Sequence, residues 1–126
     1  MVVRPRLGQG TFRVIVIDAY ERRCAITCER TLPVLEAAHI KPYSSGGPHE
    51  PENGVLLRSD LHTLFDQGYV TIDADQLKVV VSSRIREEFE NGRDYYHLHG
   101  RAIRLPRESN TLPSREYLAF HNSVFR

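Results

Sequence analysis

LEAAHIKPYSSGGPHEPENGVLLRSDLHTLFDQG, residues 35–68, is the stretch on which the reading of this chain turns. The run VLEAAHI, from Val34, reads as a strand. It stops at Pro42, which lacks a backbone donor and pushes Lys41 into extended geometry. YSSGGPHEPE is loop by its glycine and proline content. NGVLL then reads as a hairpin-like turn leading into a second strand. Ser59 or Asp60 suits the cap of a short helix, DLHTLFDQG, which ends at Gly68. On that helix His62 and Asp66 stand four residues apart and share one face, while Leu61, Leu64 and Phe65 form a core-facing stripe.

These residue types carry a particular chemistry. An imidazole and a carboxylate one helical turn apart can bind one divalent ion, and the pair suits Mg²⁺, Mn²⁺ or Zn²⁺ without choosing among them. The alternative is that they decorate an exposed helix. At the end of a strand, the neutral imidazole of His39 can take a proton from water near pH 7, or it can be a satisfied core histidine. Asn53, ahead of Gly54, is either part of a simple turn or an amide that bonds across the loop and holds the strand bearing His39. His49 reads as a solvated loop histidine, with a phosphate contact as the other option. His97, His99 and His121 lie outside the pattern.

Outward from this centre the chain reads as a small α+β protein. Thr11 can cap a helix to about Tyr20, since Phe12, Ile15, Val16, Ala19 and Tyr20 recur at helical spacing. The β-branched run VIVI argues for a strand instead. YVTID and LKVVV around ADQ predict a β-hairpin. SSRIREEFENG predicts a helix from Ser82 or Ser83 to near Gly92, GRAIRLP a strand, and PSREYLAFHNSVF a C-terminal helix. The 126 residues, 40% hydrophobic and 26% charged, suffice for one modest core. A formal net charge of +1 does not announce a nucleic-acid binder. No segment approaches the roughly 20 apolar residues of a membrane span, and the N-terminus lacks the apolar region of a secretion signal, so a cytoplasmic setting is expected. Cys24 and Cys28 offer no second pair for a four-thiolate zinc site and read as reduced core cysteines.

The steps of fourteen residues from His39 to Asn53 and nine to His62 resemble those of the HNH endonucleases, whose ββα-metal fold clasps one ion between two strands and a helix. AAHIKPYSSGGPHEPENGVLLRSDLHTLFDQG is similar to a subfamily with A-H-I, N-G, L-x-x-D-L-H and L-F-D signatures. RLGQGTFR and RCAIT upstream resemble the lead-in of bacterial HNH restriction endonucleases. The resemblance implies a single α+β domain over 1–126: a ββα-metal core motif at 34–68, an N-terminal helix and lead-in at 1–33, and a hairpin and helices at 69–126. It implies a metal-dependent DNA endonuclease in bacterial restriction or defence, the alternative being a degenerate module that binds nucleic acid or protein without cutting. His39 would be the general base, Asn53 its brace, and His62 and Asp66 the metal ligands. Many members place a ligand just before the base, where this chain has Ala38. Glu36 lies two residues earlier on the same side of a strand and offers a substitute. Two protein ligands suit Mg²⁺ or Mn²⁺ better than tightly held Zn²⁺, with Ni²⁺ also possible. Lys41 and Arg58, then Arg13, Arg6 and Arg4, are the candidates for phosphate contacts. A homodimer or a separate targeting domain would complete such an enzyme.

Overall fold

The computed structural model describes residues 8–126. The expected phosphate contacts Arg4 and Arg6 lie outside the described residues. The first helix, α1, runs over Gln9–Ala19. Its β-branched residues do not make a strand because burial follows the helical period: Phe12, Val16, Ala19 and Tyr20 are buried, whereas Val14 is 64% exposed. Tertiary packing overrides the local β preference here. Gly8 occupies the cap position in place of the expected Thr11, with its carbonyl accepting from the Phe12 amide at 2.9 Å.

Strands β1 (Leu35–His39) and β2 (Gly54–Arg58) form an antiparallel pair in which His39 faces Gly54 and Leu35 faces Arg58. Asn53-Gly54 is not the hairpin turn the dipeptide suggests. The connection is the whole intervening loop, closed by Ile40 donating to the Asn53 carbonyl at 2.9 Å. Gly54 is extended, at φ −120°, and begins β2. Its role is close approach: a Cβ there would collide with Val16 Cγ2 and stand 3.0 Å from Phe12 Cζ. The helix α1 lies against both strands at this point.

Helix α2, Ser59–Asp66, follows β2 directly and packs on β1, β2 and the next strand. Leu61 and Phe65 are fully buried, as their spacing predicts. The predicted hairpin forms from β3 (Val70–Ile72) and β4 (Val79–Val81). The predicted helix over 82–92 is shorter, α3 at Arg84–Phe89, because Glu90 and Gly92 turn left-handed, and a further helical turn, α4 at Arg93–Tyr96, follows. GRAIRLP is not a strand: only an isolated bridge joins Ala102 to Lys78, and Arg104 and Arg107 instead donate backbone bonds to Ala25 and Ala19. The last helix, α5 (Arg115–Ser123), begins after Ser114 as expected and packs on β3.

Buried side chains from all these layers form one hydrophobic cluster. Cys24 is buried and its sulfur accepts from the Arg58 amide at 3.4 Å. Cys28 is exposed, not a core residue, because the chain turns there with φ +63°. Both are free thiols. Among the described residues no helix is long and apolar enough to cross a membrane.

The glycine contact yields a direct test. Gly54→Ala creates no dihedral strain at φ −120°, so its effect isolates the contact with α1. We expect a loss of about 1–3 kcal/mol, read as a lower urea midpoint at unchanged slope. An unchanged midpoint would contradict this packing.

Candidate active site

The end of β1 and one face of α2 border a shared cleft of about 430 Å³, lined by Gln9, Ala37, His39, Pro42, Tyr43, His62 and Asp66. The strand histidine and the helical pair therefore converge, as the sequence pattern requires. Gln9, Pro42 and Tyr43 join them without any advance signal, since neither α1 nor the loop announces which of its residues will face the helix.

Asn53 is completely buried, although its side chain is polar. Its Oδ1 accepts from the Lys41 amide at 2.8 Å, and its Nδ2 donates to the carbonyls of Lys41 and Pro48, each at 3.0 Å. Of the two sequence readings, turn or brace, the bonding is that of a brace. Gly47 makes room for it: a Cβ there would meet the Lys41 carbonyl and lie 2.9 Å from Asn53 Nδ2. Lys41 is two residues beyond His39 and Pro48 one before His49, so a single amide ties the start of this loop to its middle.

The two cleft histidines are tuned in opposite directions. His39 stacks on Phe12, with ring centroids 4.1 Å apart and planes 16° from parallel. Its Nε2 lies 2.8 Å from Nδ1 of His49. Burial holds its pKa below the ordinary value, His49 and His62 push the same way, and Asp66 opposes them. The imidazole is therefore neutral near pH 7, the form a base needs. His62 is gripped at both nitrogens, with Nε2 3.1 Å from Asp66 Oδ2 and Nδ1 2.7 Å from Glu36 Oε1. Asp66 chiefly, and Glu36 with it, raise the His62 pKa to about 9 against the opposing effect of burial.

The donor set of His62 and Asp66 fits a small divalent ion. Adjacent ligands of an octahedral ion with bonds of about 2.0–2.1 Å stand roughly 3 Å apart, close to the observed Nε2–Oδ2 separation of 3.1 Å. Glu36 does not join that edge: it meets the opposite nitrogen, where a carboxylate fixes the ring and its tautomer. Among the described residues no group of three or more histidine, cysteine or acidic side chains gathers as a metal site.

The proposed phosphate contacts are dispersed. The Arg58 guanidinium makes a two-point bond to Asp60, at 2.6 and 3.0 Å, and Tyr95 donates to the same carboxylate. The Lys41 ammonium stands over the Phe120 ring at 4.9 Å. Arg13 is exposed on α1, one turn beyond Gln9 of the cleft. His121 is structural: Nε2–H donates to the Phe65 carbonyl at 2.8 Å, so Nδ1 accepts from Thr71 Oγ1 at 2.6 Å. His99 accepts from the Val81 amide through Nδ1 at 3.0 Å.

Two measurements follow. Asn53→Ala leaves backbone groups of the loop without partners and should cost about 1–3 kcal/mol. Asn53→Asp, which sets an oxygen against two carbonyls, should be no better at neutral pH; urea unfolding of both variants checks this. In metal-free protein the His62 ring should titrate near 9 by NMR, with Asp66→Asn lowering it more than Glu36→Gln. Because the folded pKa lies above the unfolded one, the linked stability is full below about 6.5 and is lost as pH rises through about 9. Titration at the ordinary histidine value would refute the two-carboxylate clamp.

Comparison with known proteins sets this geometry in context. Residues 24–73 match the family model described as HNH endonuclease. No curated protein matches the chain. A solved structure, a modification dependent TagI restriction endonuclease, superposes on 95% of this chain with a TM-score of 0.68 at 24% identity. The chain spans 38% of the length of that protein, and the likeness establishes the shared fold. The α+β architecture with its strand–loop–strand–helix centre is thus the fold shared with that solved structure, and its central residues 24–73 are similar to the HNH endonucleases.

Proposed function

We propose that this chain is the nuclease part of a divalent-metal-dependent DNA endonuclease that hydrolyses phosphodiester bonds in a restriction-type role. The observation that carries the reading is the convergence of His39 with His62 and Asp66 on one cleft. A neutral imidazole on one side and a nitrogen–oxygen pair on the other are what hydrolysis of a phosphodiester asks for.

His39 takes the proton of the attacking water, and its lowered pKa keeps it ready to do so near neutrality. Asn53 acts through the backbone: by holding Lys41 and Pro48 it keeps the end of β1 and the loop in register. His62 Nε2 and Asp66 would hold the ion, with Mg²⁺ or Mn²⁺ preferred and Ni²⁺ or Zn²⁺ as alternatives. Glu36 holds His62 Nδ1 and so turns Nε2 toward Asp66, a supporting part in place of the direct ligation expected from sequence. A bound divalent ion would polarise a non-bridging phosphate oxygen and offset charge on the departing 3′-oxygen. Arg13 and Lys41 are the better phosphate contacts, since Arg58 is committed to Asp60. Among the described residues no helix reads as a recognition helix for the major groove, so a targeting domain or a second copy of the chain would supply aim and the second cut. Two free thiols agree with a reducing, cytoplasmic setting.

The restriction-type role draws on the modification dependent restriction endonuclease that shares this fold. A second reading, a module that binds nucleic acid without cutting, is favoured by the absence of a third metal-ligating side chain among the described residues.

Nicking of supercoiled plasmid with Mg²⁺, Mn²⁺, Ni²⁺ and Zn²⁺ separates the two. We expect cleavage that EDTA abolishes, a fall of roughly 10²–10⁴ in rate for His39→Ala, and loss of metal-stimulated cleavage for His62→Ala. Absence of cleavage with all four ions, with DNA binding at low salt intact, would establish the non-cleaving module.

A further inference from the structure

His49 belongs neither to the strand nor to the helix of the site, yet its Nδ1 lies 2.8 Å from Nε2 of His39. Two neutral imidazoles at that distance share one hydrogen, so one ring donates and the other accepts. The tautomer of each ring is thereby tied to that of the other. With Nε2 of His39 committed to His49, Nδ1 is the ring nitrogen left for water. Among the described residues it has no hydrogen-bond partner and no buried side-chain nitrogen or oxygen lacks one, so Nδ1 is open to solvent. A bare Nδ1 on His39 requires the hydrogen on Nε2. His49 must then accept through Nδ1 and carry its own hydrogen on Nε2.

We propose that His49 is a positioning residue for His39, holding it in the Nε2–H tautomer with Nδ1 bare as the proton acceptor; this rests on the nuclease reading above. When Nδ1 takes a proton from water, the hydroxide oxygen bonds to phosphorus, the bond from phosphorus to the 3′-oxygen breaks, the departing 3′-oxygen takes a proton from solvent, and His39 becomes an imidazolium. Its Nε2–H stays bonded to His49, now as a stronger, charge-assisted donor. After the step Nδ1 returns the proton to solvent.

The surroundings hold His49 in place for this. Its ring lies parallel to Tyr43, with centroids 4.5 Å apart and planes 5° from parallel. It meets His39 edge-on at 5.0 Å and 60°. Phe12 supports one face of His39 and also lies tilted against His49 at 5.9 Å, so the four aromatic rings form a continuous cluster from α1 to the loop. The Pro48 carbonyl next to His49 is held by Asn53. The charged groups that act on His39 from across the cleft are His62 and Asp66, while Gln9 and Phe12 of α1 bring no charge.

The test has two independent readouts. ¹⁵N NMR of protein free of metal and DNA reads the His39 tautomer without reference to activity. Steady-state plasmid nicking compares wild type, His49→Leu and His49→Asn, with thermal unfolding confirming that each variant folds. We expect Nε2–H with bare Nδ1 in wild type and mixed tautomers in His49→Leu. The latter should lose at least about tenfold in kcat with KM unchanged, within the roughly 10²–10⁴ that a general base supplies. His49→Asn, whose side-chain oxygen accepts at the position of Nδ1, should restore both. An Nδ1–H tautomer in wild type, or wild-type kcat in His49→Leu, overturns the assignment of His49. Failure of wild type to cut at all overturns the nuclease reading instead.

Discussion

The buried amide of Asn53 holds the centre of this molecule together. An amide is the one side chain of that size that accepts and donates at once, and here it accepts from one peptide and donates to two others. A hydroxyl is too short to reach all three, and a carboxylate has no hydrogen to give. Because the loop it spans joins β1 to β2, the position of His39 at the end of β1 and of His49 within the loop both follow from these bonds. The glycines at 47 and 54 serve the same arrangement from either side, one admitting the loop backbone against the amide and the other admitting α1 against the strands.

Upon this frame the cleft tunes two imidazoles in opposite directions. His39 is stacked on an aromatic ring and met at its edge by a second imidazole, surroundings that disfavour charge. His62 is held between two carboxylates, surroundings that favour it. Like groups within one cleft are thus tuned in opposite directions. The hydrogen bond to Asp66, with Glu36 behind it, raises the His62 pKa to about 9.

Remote parts of the chain secure the helix that carries this pair. His121 of α5 stacks on Phe65, at 3.6 Å between centroids, and donates to its backbone carbonyl, immediately before Asp66. Asn122 bonds the Ala74 amide, Thr71 Oγ1 and the Ile72 carbonyl, fastening α5 to the β3–β4 hairpin. The C-terminal third thus acts as a buttress, which explains two polar residues that have no place in the cleft. The bond of Arg58 to Asp60 likewise braces the β2–α2 junction.

What the sequence by itself determined is local. Periodicity and breakers located both strands of the central pair, α2, the β3–β4 hairpin and α5, and the four-residue step placed His62 and Asp66 on one face. Each of these depends on near neighbours along the chain and on alternation that any sequence displays. What only the tertiary structure decided depends on partners distant in sequence. VIVI became helix because α1 had strands to bury against. Asn53-Gly54 became a brace and a contact point where the dipeptide suggests a turn. Glu36 found the far nitrogen of His62, Arg58 was taken by Asp60, and His49 met His39. No spacing rule announces such pairs, because each is set by how the loop closes in three dimensions and by which groups are then near enough to share a hydrogen.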